Sequence, residues 1–160
     1  MKNFKKKGIS LIEILVIISI IGIISAIVFP SFSSFHKKQE LQNTTEDIVS
    51  LLNEARNNTI SSKNSNIYGV HFEINKAVLF TGSSYTEDDA SNKVVMFDSA
   101  VRIANVGGVV LNGGGNNIIF ARLSGETTNY GTIILYTYVA DNTPLIKTID
   151  INKVGLVHVN

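Results

Sequence analysis

The chain has 160 residues, of which 44% are hydrophobic and 17% are charged, so it can form one modest core and is not a disordered polyelectrolyte. Its formal net charge is +1, and the sequence beyond residue 8 is weakly acidic without clustered Lys and Arg, so we predict no nucleic-acid footprint. The absence of cysteine excludes disulfides, thiolate metal sites and a cysteine nucleophile.

The first predicted element is an apolar helix over Ile9–Phe29, in which Glu13 is the one charged residue. Its 21 residues would measure about 31 Å as a helix, close to the ~30 Å hydrocarbon core of a bilayer. Four lysines precede this segment, namely Lys2, Lys5, Lys6 and Lys7. We therefore expect a single pass through the cytoplasmic membrane, in contact with lipid, with the N-terminus in the cytoplasm and the rest of the chain outside.

Glu13 distinguishes between the classes of apolar N-terminal segment. A secretory signal peptide has a shorter apolar region and a small-residue cleavage site, which the bulky sequence FPSFSSF does not offer. An ordinary signal anchor accounts for the lysines and the length, and it tolerates an acid at the membrane edge. A carboxylate within a spanning helix nevertheless costs about 2.5–3.5 kcal/mol on insertion scales, so Glu13 calls for a further explanation.

The stretch KKKGISLIEILVIISIIGIISAIVFPSF resembles the leader and N-terminal helix of type IV pilins and type II secretion pseudopilins, with glycine, glutamate and proline at fixed offsets. The resemblance implies that prepilin peptidase cuts after Gly8 and methylates the new amine of Ile9. Lys5, Lys6 and Lys7 are then the basic leader residues. Pro30 falls at a usual position of the family's helix proline, and its missing backbone donor predicts a kink or a locally melted turn. The alternative is that Pro30 ends the spanning helix and begins a linker.

The resemblance assigns Glu13 to assembly, pairing with the N-terminal amine of a neighbouring subunit. Buried together, an amine and a carboxylate cost less than either charge alone, so the pair favours one packing over others. A pair between Ile9 and Glu13 of one subunit is also sterically possible at this spacing. The implied partners are prepilin peptidase, other pilins or pseudopilins, an assembly platform protein and a cytoplasmic ATPase. No cofactor is implied.

An amphipathic helix is predicted next, ending at about Thr59 or Ile60. Its apolar stripe should face the core and consists of Leu41, Ile48, Leu51, Leu52 and Ala55. The opposite face carries Glu40, Glu46, Asp47, Glu54 and Arg56. The polar sequence SSKNSN, residues 61–66, should close the helix.

The remaining chain changes to a period of two and predicts short antiparallel strands. These are Ile67–Phe72, Ala77–Phe80, Val94–Phe97, Val101–Ala104, Val109–Leu111, Ile118–Phe120, Thr132–Val139, Leu145–Ile151 and Leu156–Val159. Both faces of TIILYTYV are apolar, which predicts a central strand between the helix and a second layer. The sequence NGGGNN, residues 112–117, predicts a hairpin turn.

These elements predict an α+β, type IV pilin-like fold, with a long N-terminal helix packed on an antiparallel β-domain. The predicted division is leader 1–8, membrane and assembly half 9–30, amphipathic half 31–62 and β-rich domain 63–160. The segments LLNEARNNTISSKN, IIFARLSGETTNYGTIILYTY and IKTIDINKVGLVHV resemble H-type minor pseudopilins and related minor pilins. The resemblance implies a structural subunit of a type IV pilus or a secretion pseudopilus.

The polar residues form no arrangement that is typical of catalysis or metal binding, and we predict that the chain is not an enzyme. His36, His71 and His158 are far apart and show no metal-ligand spacing. Glu87, Asp88 and Asp89 are weak calcium candidates, for which a solvated acidic loop is the favoured interpretation. The alternative hypothesis is an extracytoplasmic enzyme or binding domain on an uncleaved signal anchor. It predicts that Gly8 and Glu13 are dispensable and that the helical stripe packs on nothing.

Overall fold

A computed structural model describes residues 8–105, 107–139 and 143–160 of the chain. Within the helix it describes no side chain at positions 27 and 29–31. The predicted leader residues Lys5, Lys6 and Lys7 therefore lie outside the described residues, as do the side chains of Ile27, Phe29 and Pro30.

A single long helix, α1, forms the N-terminal part of the fold. It extends over Leu11–Ile60, or about 75 Å at ~1.5 Å per residue, and ends where the sequence predicts. Its backbone is helical at position 30, and the kink at Pro30 stays a prediction. After α1 the chain turns through left-handed residues, with φ of 50° at Ser62, into a short 3₁₀ turn at Lys63–Ser65.

The described part of the chain contains nine strands, all paired antiparallel, in two sheets. The first sheet has the order β3-β2-β1-β6. Its strands are β1 (Tyr68–Glu73), β2 (Lys76–Thr81), β3 (Lys93–Met96) and β6 (Asn117–Ile119). All nine strands fall within one or two residues of the predicted ones, so the α+β prediction with a long N-terminal helix and antiparallel sheets is confirmed.

The second sheet has the order β4-β7-β8-β9, and β5 also pairs with β7. Its strands are β4 (Arg102–Ile103), β5 (Val109–Leu111), β7 (Gly131–Tyr138), β8 (Pro144–Ile151) and β9 (Val157–Val159). The two longest strands, β7 and β8, pair over their full length from Gly131 opposite Ile151 to Tyr138 opposite Pro144. Because β7 has partners along both edges, the prediction that it is a central strand is confirmed.

The C-terminal half of α1 contacts both sheets and closes the core. All five residues of the predicted apolar stripe are buried: Leu41, Ile48, Leu51, Leu52 and Ala55. They pack with buried side chains of both sheets, among them Phe72, Phe120, Ile133 and Ile149. Burial of this stripe contradicts one prediction of the alternative hypothesis, namely that the stripe packs on nothing.

Two sequence-based predictions about the β-domain are wrong. Residues 112–117 do not form a hairpin turn, because β5 pairs with β7 whereas β6 pairs with β1, so NGGGNN connects the two sheets. The second layer over β7 is also absent among the described residues. One face of β7 is buried at Ile133 and Leu135, but Tyr136 is only half-buried and Tyr138 is 46% exposed.

Thr59 joins the end of α1 to the start of β1. Its buried hydroxyl donates to the Ala55 carbonyl at 2.9 Å and accepts the Tyr68 backbone N–H at 2.9 Å. Thr59→Val would leave this buried N–H unsatisfied, and we expect it to lower the free energy of unfolding by about 1–3 kcal/mol. Urea denaturation of the detergent-solubilised full chain measures this change.

Thr45 provides the matched control for Thr59. It is equally buried, but its hydroxyl donates only to the Leu41 carbonyl one turn earlier, at 2.7 Å, a bond that supplements the helix ladder. Thr45→Val should therefore change the free energy of unfolding by less than about 0.5 kcal/mol. Equal losses for the two variants would contradict the role given to Thr59.

Candidate functional site

The candidate site is the beginning of α1 and the two residues that carry the predicted cleavage point. Gly8 and Ile9 lie outside the helix, and Ser10 is the N-cap residue in extended conformation. The Ser10 carbonyl accepts the N–H groups of Glu13 at 3.0 Å and Ile14 at 3.3 Å, while its hydroxyl makes no capping bond. A Cβ built on Gly8 would meet nothing within 4 Å, so the predicted cleavage point is sterically open.

Glu13 lies in the first turn of α1, close behind the predicted cleavage point. Its side chain is exposed and has no hydrogen-bond or ion-pair partner among the described residues. The free N–H groups at a helix N-terminus favour a negative charge at this position. The carboxylate is therefore tolerated by its own helix and free to meet a cation on another molecule.

The first half of α1 exposes apolar side chains on every side. The large apolar side chains described there that are at least two-fifths exposed are Leu11, Ile12, Ile14, Leu15, Val16, Ile17, Ile18, Ile20, Ile21, Ile23, Ile24, Val28, Phe32 and Phe35. The hydroxyls of Ser19 and Ser25 donate to the Leu15 and Ile21 carbonyls, both at 2.8 Å, so neither requires an external acceptor. Exposed apolar surface on this scale marks a contact with lipid or with other apolar chains.

Among the described residues, which leave out the side chains at positions 27 and 29–31, no helix is both long and apolar enough to cross a membrane.

Residues 3–29 match the family model of the prokaryotic N-terminal methylation motif, which includes Gly8, Ile9 and Glu13. The motif covers 27 of the 160 residues. This motif implies a protein that prepilin peptidase processes and that assembles with other pilins. No curated protein and no solved structure gives a significant match to the chain.

Outside the methylation motif, the acidic loop shows no cation site among the described residues, where no three His, Cys, Asp or Glu side chains are grouped to hold a metal. Asp89 accepts the backbone N–H of Ser91 at 2.8 Å and its hydroxyl at 2.7 Å, and these bonds lower the pKa of Asp89. Glu87 lies 4.0 Å from the Lys76 ammonium. The carboxylates of Asp89 and Glu87 thus have partners within the protein.

A polar cluster next to this loop attaches it to the first sheet. The His71 ring stacks on Tyr85 with a centroid distance of 3.9 Å, and His71 also contacts the side chain of Asn117. Lys76 lies 3.0 Å from Glu73, and the hydrogen bond to that carboxylate raises the pKa of Lys76. Partial burial raises the pKa of the Tyr85 phenol. These contacts fix the loop to the first sheet.

Sequence reasoning did not predict how Arg56 fixes the β-domain to the helix that carries the methylation motif. Its Nε donates to the Gly125 carbonyl at 3.3 Å and its Nη2 to the Val154 carbonyl at 3.4 Å. The sequence pattern assigns Arg56 to the polar face, because it lies among charged residues. The fold brings residues 125 and 154 to the end of α1, and Arg56 has a structural role because it binds their carbonyls.

Proposed function

We propose that the chain is a minor pilin or H-type pseudopilin, a structural subunit of a type IV pilus or a type II secretion pseudopilus. It is made as a prepilin, cut between Gly8 and Ile9 and methylated on the Ile9 amine. Ile9–Phe29 holds it in the cytoplasmic membrane, with the leader inside and the β-domain outside. It then enters a filament through the apolar half of α1, while the platform protein and ATPase drive extraction.

The observation that supports this proposal is the match of residues 3–29 to the methylation motif. Gly8, Ile9 and Glu13 lie within that range, at the N-terminal end of an apolar helix. Glycine and glutamate are the residues that an ordinary anchor does not need. Cleavage after Gly8 removes the leader lysines and leaves one new amine near Glu13. The motif therefore accounts for both residues with one reaction and one contact.

The proportions of α1 also support an assembly role. The stripe that packs in the core of the β-domain begins at Leu41. Among the described side chains, the preceding helix from Leu11, about 45 Å long, contributes none to that core. A tether needs no such exposed length beyond the bilayer, whereas a filament buries apolar helices against one another. We infer that residues 9–30 serve contacts between subunits in the filament and that residues 31–62 serve packing against the β-domain.

Processing is tested by mass spectrometry of the full chain expressed in cells that contain a prepilin peptidase. We expect the mature protein to begin at Ile9 and to carry one added methyl group. Gly8→Val should leave uncleaved chain in the membrane, because a branched side chain fills the open space at the scissile bond. Mature protein that retains Met1–Gly8 would contradict the proposal and favour the anchored enzyme or binding domain.

Gly22→Val is the matched control for Gly8→Val. A Cβ at Gly22, like one at Gly8, would meet nothing within 4 Å. Gly22 lies inside α1 and away from the proposed cleavage point, so this variant should be cleaved normally. If both variants remain uncleaved, general damage to the helix explains the result, and specific recognition of Gly8 is not supported.

A further inference from the structure

An open groove lies between α1 and the first residues of β8. Phe35 and Lys38 line it from the helix, and Ile146 and Lys147 line it from the strand. Two large apolar side chains are unusually open here, since Phe35 is 63% exposed and Ile146 is 57% exposed. The apolar surface continues onto the second sheet, where Tyr138 and Ile146 line a neighbouring cavity. We call Phe35, Lys38, Tyr138, Ile146 and Lys147 the basal surface.

Among the described residues, the basal surface carries two positive charges and no acid. The described lining of the groove includes Lys38 and Lys147 but no Asp or Glu. Neither lysine has an ion-pair partner among the described residues. By contrast, Lys76 and Lys93 elsewhere on the domain are paired with carboxylates. Two unpaired ammonium groups beside exposed rings fit an anionic surface better than another apolar protein face.

The orientation of β8 places the basal surface at the end of the domain nearest the methylation motif. The strand begins beside Phe35 and Lys38, and the chain beyond its other end reaches Arg56 through Val154. Lys38 and Arg56 are about 27 Å apart along the helix, and the eight extended residues of β8, Pro144–Ile151, cover about 26 Å. β8 therefore extends along α1, away from the N-terminus.

This orientation determines what the basal surface would face. Phe35 lies about 9 Å along the helix beyond the end of the proposed membrane segment at Phe29. That distance corresponds to the outer edge of the headgroup layer, where Tyr is enriched and where lysines near the end of a spanning helix extend toward the interface. The exposed rings of Phe35 and Tyr138, with Lys38 and Lys147 beside them, have the composition expected of this layer.

We propose that the basal surface rests on anionic phospholipid headgroups on the outer face of the membrane before assembly. Lys38 and Lys147 bind headgroup phosphates, and Phe35, Tyr138 and Ile146 enter the boundary between headgroups and acyl chains. The inference rests on the proposed membrane anchor. It adds a second lipid contact, one that the subunit must release when it enters a filament.

The absence of cysteine allows single labels to test this contact in the full chain. Ile146→Cys carries a fluorophore on the basal surface, and Val154→Cys carries the same label at the opposite end of the domain. The two positions are similarly exposed, at 57% and 51%. In phosphatidylglycerol vesicles containing headgroup spin-labelled lipid, we expect several-fold stronger quenching at position 146 than at position 154. Equal quenching would overturn the inference.

Charge and anchoring are tested separately. Lys38→Gln combined with Lys147→Gln should reduce the quenching at position 146 in phosphatidylglycerol to the value in phosphatidylcholine vesicles, and no reduction would overturn the role of the lysines. A label at Ile17→Cys reports on the anchor through quenchers placed on the acyl chains. Quenching at 17 with none at 146 rejects the basal contact alone. No quenching at 17 rejects the proposed anchor and the contact together.

A second copy of the chain is the competing occupant of the basal surface. In that case the label at position 146 would become shielded as the protein-to-lipid ratio rises, without quenching by spin-labelled headgroups. This outcome would also overturn the lipid contact. Strong headgroup quenching that is independent of the protein-to-lipid ratio supports it.

Discussion

Replacing Glu13 with glutamine is expected to lower incorporation of the subunit into filaments at least about tenfold, which corresponds to ~1.4 kcal/mol. In the proposed assembly, Glu13 of an incoming subunit meets the Ile9 amine of a neighbour in an apolar environment. Removing one member of a buried ion pair leaves the other charge unpaired, at a cost of about 3–5 kcal/mol. The expected effect is measured as the ratio of this chain in sheared filaments to this chain in membranes.

The Glu13→Gln experiment has a control for each other step. Membrane insertion and an N-terminus at Ile9 should be unchanged, because glutamine keeps the shape of the side chain and is less costly in lipid. Glu46→Gln changes an exposed acid on the domain-packing half of α1 and should leave incorporation unaltered. An ion pair confined to one subunit exists both before and after assembly, so its loss would not change incorporation. Unchanged incorporation of Glu13→Gln would therefore reject the intersubunit contact.

Short-range patterns in the sequence predicted most of the secondary structure. The stripe from Leu41 to Ala55 has helical spacing, and every member of it is buried. The strands follow from runs of β-formers between Gly-, Asn- and Asp-rich turns, and their observed bounds differ from the predicted ones because hydrogen-bond pairing decides the last residue. The methylation motif was also readable, because Gly8, Ile9 and Glu13 are close in the chain and their significance does not depend on tertiary contacts.

Features that depend on contacts between distant segments could not be predicted. The glycine-rich residues 112–117 have the composition of a hairpin, but the partners of β5 and β6 lie elsewhere in the chain, so the segment joins two sheets. Alternation in TIILYTYV showed two apolar faces without showing that one lacks a cover. The basal surface brings Lys38 and Lys147 together from opposite parts of the sequence, and neither residue is distinctive in its local context.

Gly155→Ala is expected to lower the free energy of unfolding by about 2–5 kcal/mol, which would be measured by urea denaturation of the detergent-solubilised full chain. Two effects combine at this position. Its φ of +78° is a left-handed conformation that costs a residue with a Cβ about 1–2 kcal/mol. A Cβ would also lie 2.1 Å from the Gly125 carbonyl oxygen, and such overpacking costs about 1–3 kcal/mol.

Gly114→Ala separates the two effects, since Gly114 has a φ of +69° but open space around its Cβ position. Gly114→Ala should lower the free energy of unfolding by the backbone contribution alone, about 1–2 kcal/mol. The additional loss at Gly155 arises because the Gly125 carbonyl is also the acceptor for Arg56, so the new methyl group disturbs the contact that fixes the β-domain to the end of α1. Equal losses in the two variants would show that the hydrogen bond between Arg56 and the Gly125 carbonyl rearranges with no loss of free energy. The domain would then be less firmly fixed to its assembly helix than these distances imply.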